Sequence, residues 1–229
     1  MPFALVTGAS QGLGLALSRA LVDRGWHVVV DARDEQRLSR AYAGDEPVTV
    51  IPGDVSSAEH RDQLAEIVRG IAPLDLLVNN ASRLGPSPLP PLADHPLDEL
   101  GAIFDTNVVA PLGLVQAMMP LLATGGVIVN VSSDAAVEPY PGWGGYGSSK
   151  AALDHAGAVL AVENPSLHVY SFDPGDMRTD MHQRAFPGED ISDRPAPDEV
   201  VPALLALVWD RPASGRYRAK DLLPVGAGR

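Results

Sequence analysis

Short apolar segments alternate with longer amphipathic segments along almost the whole chain of 229 residues, and this alternation constrains the fold more than any other feature. Several short segments, such as "HVVVDA" and "GVIVNVSS", are apolar nearly throughout, as is typical of parallel strands covered on both faces. The segments predicted as strands are residues 3–7, 27–32, 48–54, 74–81, 126–133 and 168–175. Those predicted as helices are residues 12–24, 34–43, 56–71, 96–122, 146–163 and 198–210, with a final strand near "GRYRA". The alternation predicts an α/β fold with a doubly wound parallel sheet, in one domain spanning 1–229.

Two long segments interrupt this pattern. Residues 82–96 are proline-rich, and residues 175–198 are polar and acidic. Both follow predicted strands at the carboxyl edge of the sheet, where open α/β sheets bind ligands. We therefore expect flexible loops over an active site, although solvated linkers are the alternative interpretation.

The composition excludes several classes of function. The net charge of −12 argues against a nucleic acid or an anionic membrane as the main partner. The chain has no cysteine, and its six histidines lack metal-ligand spacing, so we expect no metal site. The start of the chain does not resemble a secretory signal, and no apolar run approaches the length of a membrane span. We expect a cytoplasmic protein.

A glycine-rich segment, "TGASQGLG", follows the first predicted strand and opens the first helix. Gly8, Gly12 and Gly14 permit a tight turn and a close approach of the backbone to a pyrophosphate. The unpaired N–H groups at the start of the helix attract phosphate. This context favours nucleotide binding, with a purely structural turn as the alternative.

The segment "GWGGYGSSK" places Tyr146 and Lys150 four residues apart, on one face of a predicted helix. A free tyrosine has a pKa of about 10, too high for a base at neutral pH. An ammonium group at about 4 Å and an effective dielectric near 20 would stabilise the phenolate by roughly 4 kcal/mol. Such a pair is suited to proton transfer, although taken alone it is more often a surface contact.

The segments "TGASQGLG", "NNAS" (79–82), Asn107, "VNVSS" (129–133), "YGSSK" and "DPGDMRT" (173–179) occur in the order typical of short-chain dehydrogenases/reductases. The chain resembles that family over nearly its whole length, including the spacing of 13 positions from Ser133 to Tyr146. The resemblance implies a Rossmann fold and hydride transfer between a nicotinamide cofactor and a carbonyl or alcohol carbon. It assigns the proton transfer to Tyr146, a reduced tyrosine pKa and ribose contact to Lys150, and the substrate oxygen to Ser133. Asn107 would anchor a water that leads from Lys150 to solvent, or be a buried amide.

The resemblance also implies a set of cofactor-binding residues. Besides Tyr146 and Lys150, they are Gly8, Ser10, Gln11, Gly12, Leu13, Gly14, Arg33, Asp54, Val55, Asn80, Ala81, Pro174, Gly175, Met177 and Thr179. Asn79 would support the sheet beside them. Ser82 stands where the family more often has glycine, and Asp176 where a neutral residue is commoner.

The signals for the cofactor conflict. Asp31 lies 19 residues after Gly12, close to the position of the acid that binds an NAD ribose. Within the family, however, that acid sits one position later, where this chain has Ala32, and adjacent strand residues point to opposite faces. Arg33 matches an arginine that accommodates a 2′-phosphate. We therefore expect NADP(H) rather than NAD(H).

For the substrate we expect a largely apolar pocket that includes Ser133, Tyr140, Trp143, Tyr146 and Met181. The partner is then a small carbonyl or alcohol compound, and the favoured function is NADPH-dependent carbonyl reduction. The alternatives are an NAD-dependent alcohol dehydrogenase and a non-catalytic NADP(H) sensor. The family resemblance is compatible with a homodimer or a homotetramer.

Overall fold

In the part of the chain that the structure describes, seven parallel strands form one sheet in the order β3-β2-β1-β4-β5-β6-β7. The computed structural model describes residues 1–44 and 47–222. The strands are β1 Phe3–Val6, β2 His27–Ala32, β3 Val48–Pro52, β4 Leu74–Asn79, β5 Leu122–Val131, β6 His168–Asp173 and β7 Gly215–Arg218. The central strands are buried on both faces, in keeping with their apolar sequences. The predicted doubly wound parallel sheet and the last strand near "GRYRA" are confirmed.

Helices cover both faces of the sheet. They are α1 Gly12–Val22, α2 Glu35–Ala41, α3 Ala58–Arg69, α4 Leu97–Phe104, α5 Ala110–Met118, α6 Gly144–Glu163, α7 Asp180–Ala185, α8 Pro197–Asp210 and α9 Ala219–Leu222. One apolar core packs α1, α2 and α8 against the sheet, and a second packs α3 and α5 against the opposite face. These five helices therefore direct their apolar stripes at the sheet and leave their polar sides to solvent.

Several boundaries differ from the predictions. The predicted helix 96–122 consists of α4, a π-helical turn at Asp105–Val109, α5 and a 3-10 turn at Met119–Leu121. The segment 175–198 contains α7, and β5 starts four residues before its predicted start. Four strands, β3 to β6, end two residues before their predicted ends, because the residues that follow them turn away from the sheet toward the cleft.

The expectation about apolar runs was wrong in one place. The helical stretch Leu97–Leu121 has 25 residues and contains an 18-residue window with a mean hydropathy of 1.3, which is enough by length and composition alone to cross a membrane. The core helix of a globular domain passes the same test. Here Ala110, Leu114, Val115 and Met118 pack in the second core.

The strand order places the site. After β1 the chain moves outward to β2 and β3, and it then returns to place β4 on the other side of β1. The helices after β1 and β4 therefore leave the sheet on opposite faces, which opens a crevice at the carboxyl ends of these strands.

Candidate active site

The glycine-rich turn after β1 has the backbone conformation that its sequence predicts. Gly8 and Gly12 have positive φ angles of 64° and 57°. A Cβ atom on Gly8 would lie 2.8 Å from Cα of Ala81, and one on Gly14 would lie 2.5 Å from Nδ2 of Asn80. Both glycines are thus required for the close contact between the turn and the end of β4.

Polar contacts hold this turn in place. The amide of Asn80 donates to the carbonyl oxygens of Thr7 at 2.8 Å and Gly8 at 3.1 Å. The hydroxyl oxygen of Thr7 accepts the N–H groups of Asn80 and Ala81, both at 3.0 Å. Asn79, one residue earlier, donates to Asn130 on β5 at 2.8 Å. The sequence analysis missed Thr7 and Asn130, since their partners lie on neighbouring strands.

The start of α1 suits a phosphate. Gln11 precedes the helix and makes no side-chain cap, and the first turn carries no acidic residue. Gln11, Gly12 and Leu13 line a cleft of about 820 Å³. Helix N–H groups that face a cleft without a side-chain partner form an anion site, so the turn fits a pyrophosphate.

The cleft brings together nearly all the predicted cofactor-binding residues. Those that line it are Gly8, Ser10, Gln11, Gly12, Leu13, Arg33, Asp54, Val55, Asn80, Ala81, Tyr146, Lys150, Pro174, Gly175, Met177 and Thr179. Gly14 is buried behind the turn and does not line the cleft. Tyr146 and Lys150 lie on α6, and the other residues follow the ends of five strands, which explains why the set is dispersed along the chain.

At one end of the cleft, the charged groups of Asp31 and Arg33 differ in whether a ligand could reach them. Asp31 is fully buried, and its carboxylate accepts the N–H of Gly8 at 3.1 Å and contacts Nε2 of His60 at 3.1 Å. Ala32 lines the cleft at the next position, and Arg33 is exposed beside it. The carboxylate of Asp31 is therefore engaged in the protein interior, whereas the charge of Arg33 is accessible.

A second arginine reaches this end of the cleft. Arg37 on α2 forms an ion pair of 3.0 Å with Asp180 at the start of α7, and both side chains line the cleft. The pair connects the two sides of the opening across 143 residues of sequence. The sequence analysis did not identify Arg37 because only the folded chain brings α7 next to α2.

Tyr146 and Lys150 lie on the buried face of α6 and line the cleft. The Lys150 ammonium is 5.5 Å from the centre of the Tyr146 ring and donates to the carbonyl of Val131 at 2.7 Å. Burial lowers the pKa of Lys150 to about 8. Burial also raises the pKa of Tyr146, against the opposing effect of the Ser82 and Ser133 hydroxyls.

The direction of the pKa shift of Tyr146 differs from the prediction. The helical spacing predicts that Lys150 lowers the pKa of Tyr146, whereas the tyrosine is kept protonated by its desolvation. The ammonium is directed toward β5 rather than toward the phenol, because the carbonyl of Val131 offers a buried acceptor.

Ser133 lies at the end of β5, within the same cleft. Its hydroxyl donates to the adjacent Asp134 at 3.0 Å, and Tyr140 donates to the other oxygen of that carboxylate at 3.1 Å. Ser132 also lines the cleft, but its buried hydroxyl has no hydrogen-bond partner among the described residues. Asp134 is a site residue that the sequence analysis overlooked.

Asn107 occupies the π-helical turn between α4 and α5 and is fully buried. Its oxygen accepts the N–H of Arg83 at 2.7 Å and the hydroxyl of Ser82 at 3.2 Å. Its nitrogen donates to the carbonyl of Arg83 at 3.0 Å and to Ser149, beside Lys150, at 2.9 Å. The side-chain amide is thus fully used in tying the loop after β4 to α6, and the water chain stays a prediction.

The substrate side of the cleft has an apolar wall. Trp143 packs against the rings of Tyr146 and Phe186 with centroid distances of 5.7 and 5.9 Å. Leu84 and Met181 belong to the same apolar cluster and line the cleft. Tyr140 stands at the exposed edge. Leu84 was not predicted, as a single leucine in a proline-rich segment has no distinctive pattern.

Comparisons with known proteins agree with this arrangement. The family model of short chain dehydrogenases matches residues 2–190. The benzil reductase ((S)-benzoin forming) of Saccharomyces cerevisiae is 34% identical over 214 residues, covering 88% of this chain and 79% of the yeast protein. A short chain dehydrogenase structure from Salmonella enterica serovar Typhi has a TM-score of 0.89 at 30% identity, covering 96% of both chains. A short chain dehydrogenase from Escherichia coli in complex with NADPH also has a TM-score of 0.89, at 29% identity and 96% coverage of both chains.

The fold and the cleft thus define a protein with a Rossmann-type nucleotide-binding domain. The chain belongs to the short-chain dehydrogenase/reductase family of oxidoreductases.

Proposed function

We propose that the protein is an NADP(H)-dependent reductase that converts a carbonyl group to an alcohol. The observation that carries this proposal is that Ser133, Tyr146 and Lys150 line the same cleft as the glycine-rich turn. A sensor needs the nucleotide site alone, whereas a reductase also needs a proton donor beside it. When bound, the cofactor supplies the hydride.

Tyr146 would donate the proton. Its raised pKa keeps the phenol protonated at neutral pH, which suits a general acid in the reductive direction. The Ser133 hydroxyl would hold the substrate oxygen where negative charge develops. Lys150, with a pKa near 8, stays mostly cationic at neutral pH and would favour that charge.

NADP(H) is favoured over NAD(H) by the charges at the end of the cleft. The exposed guanidinium groups of Arg33 and Arg37 line it, and Arg37 is paired with Asp180. The nearby Asp31 carboxylate is buried on Gly8 and His60. Arginine binds phosphate with charge-assisted hydrogen bonds, while a free carboxylate at this place would repel it. The NADPH complex of a similar structure supports the same choice. An NAD-dependent alcohol dehydrogenase is the second candidate.

The substrate would be a small, largely apolar carbonyl compound. Trp143, Phe186, Leu84 and Met181 form an apolar wall next to Tyr146. The similar yeast protein is a benzil reductase, and benzil is an apolar aromatic diketone. A cytoplasmic location and assembly into a homodimer or a homotetramer stay predictions.

The decisive experiment follows the oxidation of NADPH and of NADH by the purified protein, with benzil, simple ketones, aldehydes and quinones. Tyr146→Phe removes the proposed acid, and Tyr217→Phe removes a hydroxyl that binds Ala213 outside the cleft. We expect turnover with NADPH that is lost in Tyr146→Phe and kept in Tyr217→Phe. Tight NADPH binding without turnover of any carbonyl would favour the sensor, and turnover with NADH alone would favour the NAD-dependent enzyme.

A further inference from the structure

Arg216 on β7 joins three parts of the site without lining the cleft. One terminal nitrogen of its guanidinium donates to the backbone carbonyl of Ser133 at 2.8 Å and to Asp173 at 2.9 Å. Its Nε donates to Asp154 at 3.0 Å. The contact with Ser133 spans 83 residues of sequence. One side chain thus fixes the backbone of the proposed substrate-binding serine to two other elements.

The first of these elements is the end of β6. The second oxygen of Asp173 accepts the N–H of Gly175 at 3.0 Å, and Gly175 has a positive φ of 71°. Asp173 therefore holds the turn that forms one wall of the cleft. Because Arg216 holds Asp173, it also sets the position of this turn relative to Ser133.

The second element is α6. Asp154 lies one helical turn after Lys150, and its side chain is only 14% exposed. Asp173 is only 4% exposed. Two largely buried carboxylates would be costly without a cation, and Arg216 contacts both of them.

We propose that Arg216 is a positioning residue of the reductase site, holding the carbonyl of Ser133 in place relative to the Gly175 turn and α6. This inference rests on the proposed function, because the groups that Arg216 holds are those assigned to substrate and cofactor. Arg216 acts through Ser133, Asp173 and Asp154 and does not contact the reacting atoms itself.

The charge of Arg216 should affect the pH profile of the enzyme, which a purely structural role would leave unchanged. The charged groups that act on Tyr146 are Asp134 after β5 and Asp173 on β6, and the one that acts on Lys150 is Asp154 on α6. Arg216 on β7 contacts Asp154 and Asp173. Without Arg216, the negative charges of Asp154 and Asp173 would act uncompensated on Lys150 and Tyr146, and would favour their protonated forms. The alkaline limb of the pH profile of kcat/KM should then move to higher pH.

Three variants separate geometry from charge. Arg216→Met removes both, whereas Arg216→Lys keeps the charge but has a single nitrogen in place of the planar guanidinium, so that it cannot reproduce the geometry of the three hydrogen bonds. Arg218→Met is the matched control, because Arg218 lies on the same strand and, within the described residues, forms its ion pair with the exposed Asp221. Thermal unfolding of each variant establishes that it is folded before the kinetics are measured.

We expect Arg216→Met to lower kcat by about tenfold or more, since a small displacement of a reacting group is costly. The alkaline limb of the pH profile of kcat/KM should move to higher pH by about one unit in this variant. NADPH binding should weaken by about threefold through the Gly175 turn. Arg216→Lys should keep the limb of the wild type while recovering only part of kcat, and Arg218→Met should stay within about twofold of the wild type.

The result that overturns the inference is an Arg216→Met variant whose kcat, pH limb and NADPH affinity match those of Arg218→Met. If the wild-type protein turns over no carbonyl, the proposed function fails, and NADPH binding then decides the inference alone. Weaker binding by Arg216→Met than by Arg218→Met would support the positioning of the Gly175 turn, and equal binding would refute it.

Discussion

The carboxylate of Asp31, near the end of β2, lies 3.1 Å from Nε2 of His60 on α3, and both side chains are almost fully buried. The same carboxylate accepts the N–H of Gly8 in the glycine-rich turn. The pair therefore ties α3 and β2 to the phosphate end of the cleft. Asp31 lies close in sequence to the position of an acid that binds the NAD ribose, but both of its carboxylate oxygens already have partners, so that it is poorly suited to bind a ribose.

The Asp31–His60 pair makes stability depend on pH. The hydrogen bond to Asp31 raises the pKa of His60 above its usual value. A raised pKa in the folded state stabilises the fold fully below the unfolded pKa of about 6.5, and this contribution is lost as pH rises through the folded pKa. His60→Gln should lower the free energy of unfolding by about 3 kcal/mol near pH 6, and by less at alkaline pH.

Urea unfolding of the wild type and of His60→Gln between pH 6 and pH 9 measures the difference. His155→Gln, on the exposed side of α6, is the control and should change stability little at any pH. A loss of unfolding free energy in His60→Gln that stays constant between pH 6 and pH 9 would show that the pair does not titrate in this range.

Arg33→Ala should change the choice of cofactor. Arg33 is exposed at the end of the cleft where the proposed function places the 2′-phosphate. This phosphate is the only difference between the two nicotinamide cofactors. Loss of one charge-assisted contact should raise the Kd of NADPH by about tenfold and leave that of NADH unchanged. Calorimetric titration with both cofactors measures this. Arg40→Ala, an exposed position of α2 outside the cleft, is the control, and equal losses for both cofactors would contradict the assignment.

Gly14→Ala should disturb the glycine-rich turn. A Cβ at this position would meet the amide nitrogen of Asn80 at 2.5 Å and the carbonyl oxygen of Gly8 at 2.7 Å. We expect a loss of about 2 kcal/mol in stability, measured by denaturant unfolding, together with weaker nucleotide binding. Gly101→Ala on α4 is the matched helical control, since a Cβ added there would meet no described atom within 4 Å beyond the backbone of its own helix. That variant should be stabilised by about 0.5 kcal/mol. Similar behaviour of the two variants would contradict the steric argument.

Trp143→Ala should change substrate preference. The indole packs between Tyr146 and Phe186 on the apolar side of the cleft. Its removal should raise KM for an aromatic carbonyl such as benzil by about tenfold, while small aliphatic ketones are affected less. Steady-state kinetics with both substrate types measure the difference. Trp209→Ala removes an indole from the surface of α8 and should leave both values unchanged. An unchanged ratio in Trp143→Ala would exclude this wall as a specificity determinant.

Much of the architecture is readable from local patterns. The alternation of apolar and amphipathic segments predicted the sheet and nearly all the helices, because burial on both faces requires continuous apolar strands. The short helix α7 was missed, since six residues in a polar segment show no clear periodicity. The glycine-rich turn and the pairing of Tyr146 with Lys150 on one helix face also follow from spacing alone.

The contacts that position and orient the side chains of the site do not follow from local sequence patterns. The ammonium of Lys150 binds Val131, the carboxylate of Asp31 binds His60, and Arg216 binds Ser133. Each contact joins residues from different strands or helices, and depends on which elements become neighbours in the sheet. The sequence by itself determined the elements, the phosphate turn and the reactive side chains, because these arise from periodicity and from the conformations that each residue permits. Only the tertiary structure decided their partners, burial and protonation, because those depend on the strand order and on the exclusion of water from a shared interior.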